Sequence, residues 1–138
     1  MYSCGIIVLF GEKILLCHPS NSREEGTYGV PKGRIHVGEA HIDCAVREFK
    51  EETGITVDKD KLTSSMIISY ESYKTKEIYK QLYLYIYRIE QLSDLGLESE
   101  TIPQSQLQLD EIDWCGFLSK EEAMPKIFMK QMSVLKFL

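Results

Sequence analysis

The chain has 138 residues, a length that fits one domain able to bury a substantial core. Its 43% hydrophobic and 27% charged residues are ordinary for a soluble globular protein, and no run approaches the ~20 apolar residues of a membrane span. A formal net charge of −5 disfavours a protein that grips nucleic acid mainly through its phosphate backbone. The four cysteines (Cys4, Cys17, Cys44 and Cys115) are widely spaced and include no Cys-x-x-Cys pair. Zinc or a redox motif is therefore poorly supported, and buried free thiols in a reducing compartment are expected. Ile6–Phe10 is short and lacks the basic leader of a signal peptide, so the expected location is cytoplasmic.

Tyr2–Phe10 is apolar and rich in β-branched residues, and Gly11-Glu12-Lys13 punctuates it before Ile14–Cys17. This pattern predicts two strands joined by a tight turn. His18–Gly29 is a polar loop with Tyr28 near its end, and Pro31-Lys32-Gly33 continues the punctuation. It is a connector by composition and, by position, a candidate wall of a site. Ala40–Thr53 reads as a helix that Gly54 ends in a left-handed conformation. At 3.6 residues per turn Ile42, Ala45, Val46, Phe49 and Thr53 share one face that should pack on a sheet. Leu62–Tyr73 and Ile78–Ile89 predict two long strands. In the second, Leu82, Leu84 and Ile86 alternate with Tyr83, Tyr85 and Tyr87, giving two unlike faces. A tyrosine face of this kind either packs against a helix or stacks a base.

Gln91–Gln108 is polar, acidic and weakly periodic, which predicts a long flexible loop of the kind that often forms a lid. Asp110–Leu118 returns to strand character, and Ser119 with Glu122 forms a capping box for a short helix. After Pro125, Lys126–Phe137 is expected to be a terminal helix. There is no internal repeat and no domain boundary. The expectation is one α/β domain over residues 1–138, with a mixed arrangement of strands and helices around one core.

The densest chemistry lies in Gly33–Ile55. Glu39 precedes the helix, where its charge meets the positive end of the helix dipole, and Glu48, Glu51 and Glu52 follow on the helix. The last three stand at i, i+3 and i+4, which groups them on a face different from the core face. Arg47, four residues before Glu51, can hold it by a charge-assisted hydrogen bond. Four close carboxylates repel one another, and a hard divalent cation is the usual relief; magnesium suits carboxylates combined with a substrate phosphate. At Gly33 the backbone can approach a metal closely because no side chain stands in the way. A solvated acidic helix with salt bridges from Arg47 and Lys50 is the plain alternative.

This segment resembles the Nudix box, G-x5-E-x7-R-E-U-x-E-E-x-G-U with U a bulky hydrophobic residue. Gly33, Glu39, Arg47, Glu48, Glu51, Glu52, Gly54 and Ile55 are all in place. Phe49 stands at the first U, where an aliphatic residue is more usual; the departure concerns packing alone. The resemblance implies a Nudix-type α/β/α sandwich with a mixed sheet between helices. It also implies a Mg²⁺- or Mn²⁺-dependent attack of water on a phosphorus of a pyrophosphate bridge in a nucleoside diphosphate derivative. Carried over position by position, Glu48, Glu51 and Glu52 become metal ligands, with the Gly33 carbonyl as a further one. Arg47 orients the glutamates, and Glu39 and Gly54 support the motif. The general base is Glu111, counted back six residues from Phe117, or alternatively Glu48; counting back from Trp114 reaches Gln108, which cannot act as a base.

Tyr28-Gly29-Val30-Pro31-Lys32-Gly33 resembles the Trp-x-x-Pro-Lys-Gly approach to the box in diadenosine polyphosphate hydrolases, with tyrosine for tryptophan. Lys80-Gln81-Leu82-Tyr83 loosely resembles the lysine-plus-aromatic strand of the same relatives. Tyr28, Lys32, Lys80 and Tyr83 are thus the expected substrate contacts, with Lys32 meeting phosphate as a point charge. The expected partner is a small nucleotide, most simply a dinucleoside polyphosphate. ADP-ribose, nucleoside triphosphates and an RNA 5′ end stay as alternatives; nucleic acid is expected in no other form. A non-catalytic nucleotide-sensing module is the alternative of another class, and the complete set of box carboxylates weighs against it.

Overall fold

The computed structural model describes all 138 residues, the side chain of Ser65 excepted. Six strands form one sheet: β1 (Tyr2–Phe10), β2 (Lys13–Pro19), β3 (Lys32–Arg34), β4 (Thr63–Glu71), β5 (Ile78–Ile89) and β6 (Ile112–Ser119). Their order is β4-β5-β1-β2-β6, with β3 also pairing β1. β1 runs parallel to β5 over nine register pairs and antiparallel to β2 and β3, so the sheet is mixed.

The central position of β1 explains its unbroken apolar run, because both of its faces are covered. Cys4, Ile6 and Val8 face helix α1 (His41–Thr53) together with Ala45 and Phe49, while Ile7 and Leu9 join Leu82, Leu84 and Val134 on the other face. In β5, Tyr85 and Tyr87 turn to the α1 side and Leu82, Leu84 and Ile86 to the opposite side, the two unlike faces expected from their alternation. The aromatic at the first U position is absorbed by the core, where Phe49 is fully buried. Gly54 caps α1 at φ 75° and donates its N–H to the Lys50 carbonyl. The predicted capping box is present too: Ser119 and Glu122 bond reciprocally at the start of α2 (Lys120–Ala123).

Two expectations are corrected. Gln91–Gln108 is no loose lid. It makes two short 3₁₀ turns, buries Leu95, Leu97, Ile102 and Leu107, and lies along β6 through Ile102 N–H to Cys115 O and Phe117 N–H to Glu100 O. Those apolar residues are too irregularly spaced to show a period, yet each is anchored. The chain after Pro125 forms 3₁₀ turns over Met129–Phe137 instead of an α-helix. Gln131 and Val134, three apart and both buried, fit three residues per turn. The layer opposite α1 is therefore made of α2 and these turns. No helix among the described residues is long and apolar enough to cross a membrane.

Candidate active site

β1 and β2 pair only at Leu9/Ile14 and Phe10/Lys13 and then diverge. The chain from Gly29 to Arg34 fills the fork. Gly29 exchanges both backbone bonds with Cys17 (2.7 and 3.0 Å), Pro31 O accepts from Ile6 N–H, and β3 pairs with Ser3, Cys4 and Gly5. A cleft of ≈ 300 Å³ opens at this fork, lined among others by Lys32, Glu52, Tyr70, Lys80, Glu111, Phe128 and Gln131.

One side of the cleft is acidic, with Glu52 of α1 and Glu111 in its lining and a cluster of Glu39, Glu48 and Glu51 next to it. Arg47 is its organiser: Nε and Nη2 grip the two oxygens of Glu39 at 2.8 and 3.0 Å, and Nη1 reaches Glu48 Oε1 at 2.8 Å and Glu51 Oε1 at 3.1 Å. Nη2 also donates to the Arg34 carbonyl, which ties α1 to β3. The fork on Glu39 and the His36 N–H hold the Glu39 carboxyl down to about 2. Glu52 is buried, and its Oε1 accepts the Lys32 N–H at 2.8 Å. Burial pushes its carboxyl up to about 8 against the pull of Lys32, and the charges of Glu48 and Glu111 push the same way. Glu48 is raised as well, by burial first, with Arg47 opposing and Glu51 and Glu111 adding. Glu111, exposed on the rim, is thus electrostatically coupled to both.

The other wall is basic and aromatic. Lys80 Nζ lies 5.1 Å above the Tyr70 ring, whose centroid is 6.1 Å from that of Phe128. Burial pulls the Lys80 ammonium down to about 8, and the positive charges of Lys32 and Arg34 pull the same way. Two lysines held side by side without a carboxylate between them are a ready seat for a polyanion.

Of the expected contacts, Lys32 and Lys80 line the cleft, as do Glu52 and Glu111. Tyr28 and Tyr83 do not. The Tyr28 ring packs against His18 (4.9 Å) and Trp114 (5.9 Å) beside the cleft, though its neighbours Thr27 and Gly29 face it. Tyr83 lies on the α1 side, stacked on His41 at 4.1 Å with rings 10° from parallel. Glu51 points to solvent, with 47% of its side chain exposed. Tyr70, Phe128 and Gln131 were not singled out in the sequence. Gln131 is buried and bridges two elements, accepting from Val30 N–H at 3.0 Å and donating to Tyr70 Oη at 3.0 Å. A glutamine in a helical tail carries no motif; only the fold brings it to the cleft.

The residues fit a hard divalent cation. Glu48 and Glu52 are half-buried to buried carboxylates in mutual repulsion, which oxygen-preferring Mg²⁺ or Mn²⁺ relieves. A Cβ at Gly33 would fall on the Glu48 carboxylate, so the glycine keeps a cradle open for that group. The Gly33 carbonyl faces the Cys44 thiol at 3.7 Å. Among the described residues no three acidic, histidine or cysteine side chains already converge in ligating geometry, since Arg47 holds Glu48 and Glu51 toward itself.

The model of the NUDIX domain matches residues 2–134. An mRNA-decapping protein of African swine fever virus is 26% identical over 120 residues, covering 81% of this chain and 49% of its own. The chain thus spans about half the length of the viral relatives it matches. Among solved structures, a MutT NUDIX hydrolase from Burkholderia pseudomallei superposes with a TM-score of 0.73 at 17% identity, over 98% of this chain and 95% of that one. An Ap4A hydrolase from C. elegans does so with a TM-score of 0.67 at 22% identity, over 98% and 92%. With the box complete, its Glu52 lining a cleft and the NUDIX domain matched over residues 2–134, this chain belongs to the NUDIX domain family.

Proposed function

We propose that the chain hydrolyses a pyrophosphate linkage in nucleoside 5′-polyphosphate derivatives, with dinucleoside polyphosphates as the leading substrate class. The observation that carries this is the meeting of acid and base in one cleft: Glu52, whose carboxyl feels the charge of Glu48, and Glu111 line it together with Lys32 and Lys80. A bound Mg²⁺ or Mn²⁺ would neutralise phosphate charge and lower the pKa of the attacking water. Lys32 and Lys80 draw the bridging phosphates between the walls and offset their charge. Tyr70 and Phe128 supply an apolar surface for a nucleoside beside them. Glu48 and Glu52 would hold the cation, with Glu51 as the further ligand that the box implies. Arg47 fixes the direction of the glutamates through Glu39 and the Arg34 carbonyl. Glu111, exposed and lining the cleft with Glu52, is the general base in this reading, with Glu48 as the alternative.

The C. elegans neighbour favours the dinucleoside class, and the viral relatives, mRNA-decapping proteins by name, favour a second one, a capped or polyphosphorylated RNA 5′ end. Both present the same chemistry to the cleft. A panel of diadenosine polyphosphates, ADP-ribose, nucleoside triphosphates and triphosphorylated RNA, incubated with metal in ¹⁸O-labelled water and read by mass spectrometry, identifies the substrate and the cleaved bond. Label in a phosphate product is the expected result. Absence of product from every member would overturn the hydrolase assignment.

A further inference from the structure

A row of aromatic and lysine side chains leaves the cleft along the β4–β5 hairpin. Lys80 sits over Tyr70 at its inner end, and the Tyr70 and Tyr79 rings meet edge-on at 6.2 Å. Lys130, from the 3₁₀ turns, reaches across with Nζ 5.5 Å from the Tyr79 centroid and 4.8 Å from that of Tyr73. It is fixed there by donating to the Glu71 carbonyl at 2.8 Å. The outer rings are open to solvent, Tyr79 at 50% and Tyr73 at 73% exposure, with Ile78 at 53% between them in sequence. A shallow depression beside Tyr73 is lined by Lys76 and Lys130.

Charge along this row has the opposite sign to that of the whole molecule. Lys74, Lys76, Lys80 and Lys130 stand against Glu71 and Glu77, on a chain whose net charge is −5. A rim built only to solubilise the protein would not place exposed tyrosines among those lysines. Aromatic rings interleaved with cations are what unpaired nucleotides need: a flat face for each base and a positive charge for each phosphate. A dinucleoside polyphosphate held in the cleft would leave the row outside it without a role.

We propose that this row, through Tyr79, Lys130 and Tyr73, receives the unpaired nucleotides of an RNA whose 5′-polyphosphate end occupies the cleft. The position of the 5′ end rests on the pyrophosphohydrolase assignment; the contact itself rests on the hairpin. It deepens the second substrate reading, the RNA 5′ end, and assigns the tyrosines a recognition role that no box residue has.

Binding without turnover separates the two claims. With the full chain in EDTA, fluorescence anisotropy is measured for a 5′-triphosphorylated dinucleotide and for an otherwise identical oligouridylate of roughly ten nucleotides. The longer RNA is expected to bind about tenfold or more tightly, the scale of one stacked base. Tyr73→Ala and Lys130→Ala should each remove most of that advantage while leaving dinucleotide affinity unchanged, and Tyr73→Phe should retain it. Equal affinity for both lengths, or equal affinity for a base-paired duplex, overturns the proposal. So does a homodimer that Tyr73→Ala dissociates with no effect of RNA length, which would assign the row to a second copy of the chain. If no polyphosphate is hydrolysed but length-dependent binding persists, the hydrolase assignment falls and the RNA surface stands. Hydrolysis of small substrates with no length effect gives the converse.

Discussion

The two walls of the cleft solve opposite electrostatic problems in opposite ways. On α1 the carboxylates share one counter-ion: Arg47 contacts Glu39, Glu48 and Glu51 at 2.8 to 3.1 Å, and only Glu52 is left to a backbone N–H. Across the cleft Lys32 and Lys80 have no such partner, and Lys80 is held at a lowered pKa by burial and by its cationic neighbours. One guanidinium offsets part of the acidic charge and leaves Glu48 and Glu52 in repulsion, whereas Lys80 carries a cost of burial and like charge that a bound polyphosphate would relieve. The first geometry is set by local sequence; the second is assembled by topology from β3, β5 and the chain's last turns.

The largest effect is expected on the acidic wall. Glu52→Gln keeps the side-chain volume and an acceptor for the Lys32 N–H, and would remove one anionic oxygen from the proposed cation shell. Turnover should fall about 10³-fold, the scale of losing a group that stabilises transition-state charge, with the thermal midpoint unchanged or higher. Stopped assays with calorimetry on the same sample check both, and near-normal turnover would remove Glu52 from the metal site. Gly33→Ala comes next. Its Cβ collides with the Glu48 carboxylate, so that group must turn away, and stability should drop by about 1–3 kcal/mol. A displaced ligand should lower turnover about 10²-fold, with weaker Mn²⁺ binding seen by electron paramagnetic resonance. An alanine variant with wild-type metal affinity would show that Glu48 is not held over Gly33.

How much of this was legible in the sequence follows the same division. Glu48, Glu51 and Glu52 share a helix, and a period of 3.6 brings Glu48 and Glu51 to Arg47 without foretelling that Glu52 is buried while Glu51 is exposed; Phe49 on the core face follows from the same period, and Gly54 as cap from its freedom to take φ 75°. Lys32 and Lys80 were visible as residues, but their meeting depends on β5 lying beside β1 and β3 on the same strand, a pairing no local pattern encodes. Tyr83 shows the limit of alternation: it separates two faces without saying which one meets the site, and here Tyr83 stacks on His41 under α1 while Lys80 faces the cleft. Gln131 was invisible because its partners, Val30 and Tyr70, lie 101 and 61 residues away. The segment 91–108 concealed its burial in the same manner, with anchors spaced to suit β6 and not any period of their own.

Lys80→Met tests the basic wall. It should raise KM for polyphosphate about tenfold while making the protein more stable, because a repelled ammonium is replaced by an apolar stem. The Lys80 pKa is lower in the fold than in the unfolded chain, so the cost of keeping it charged is fully present below pH 8 and disappears as pH rises past the unfolded value of 10.5. The gain in the variant, roughly 1 kcal/mol after allowing for solvent at this half-exposed group, should therefore be seen at neutral pH and vanish in strong alkali. Binding follows from the same group: affinity of the native protein for a polyphosphate should weaken above pH 8, with proton uptake on binding in calorimetry. A pH-independent affinity between 7 and 9.5 would exclude Lys80 from the contact.

Glu39→Gln probes the acidic wall at its smallest scale, and its sign is opposite. The fork from Arg47 holds the Glu39 carboxyl near 2, below its ordinary 4.5, so its stabilising contribution is complete above pH 4.5 and is lost as pH falls toward 2. The variant should be less stable than the native chain by about 1–2 kcal/mol at pH 7, a figure reduced from the full shift because solvent reaches both partners. The gap should close on acidification, as the native carboxyl takes up the proton that glutamine imitates. Urea unfolding of the metal-free protein at pH 7 and pH 3 measures it. A gap that stays constant would mean that Glu39 supports α1 through packing and not through charge, and that Arg47 would keep its aim on Glu48 without it. Measured beside Lys80→Met, the pair distinguishes a carboxylate satisfied by its own neighbours from a lysine that only a ligand would satisfy: one substitution destabilises at neutral pH and the other stabilises.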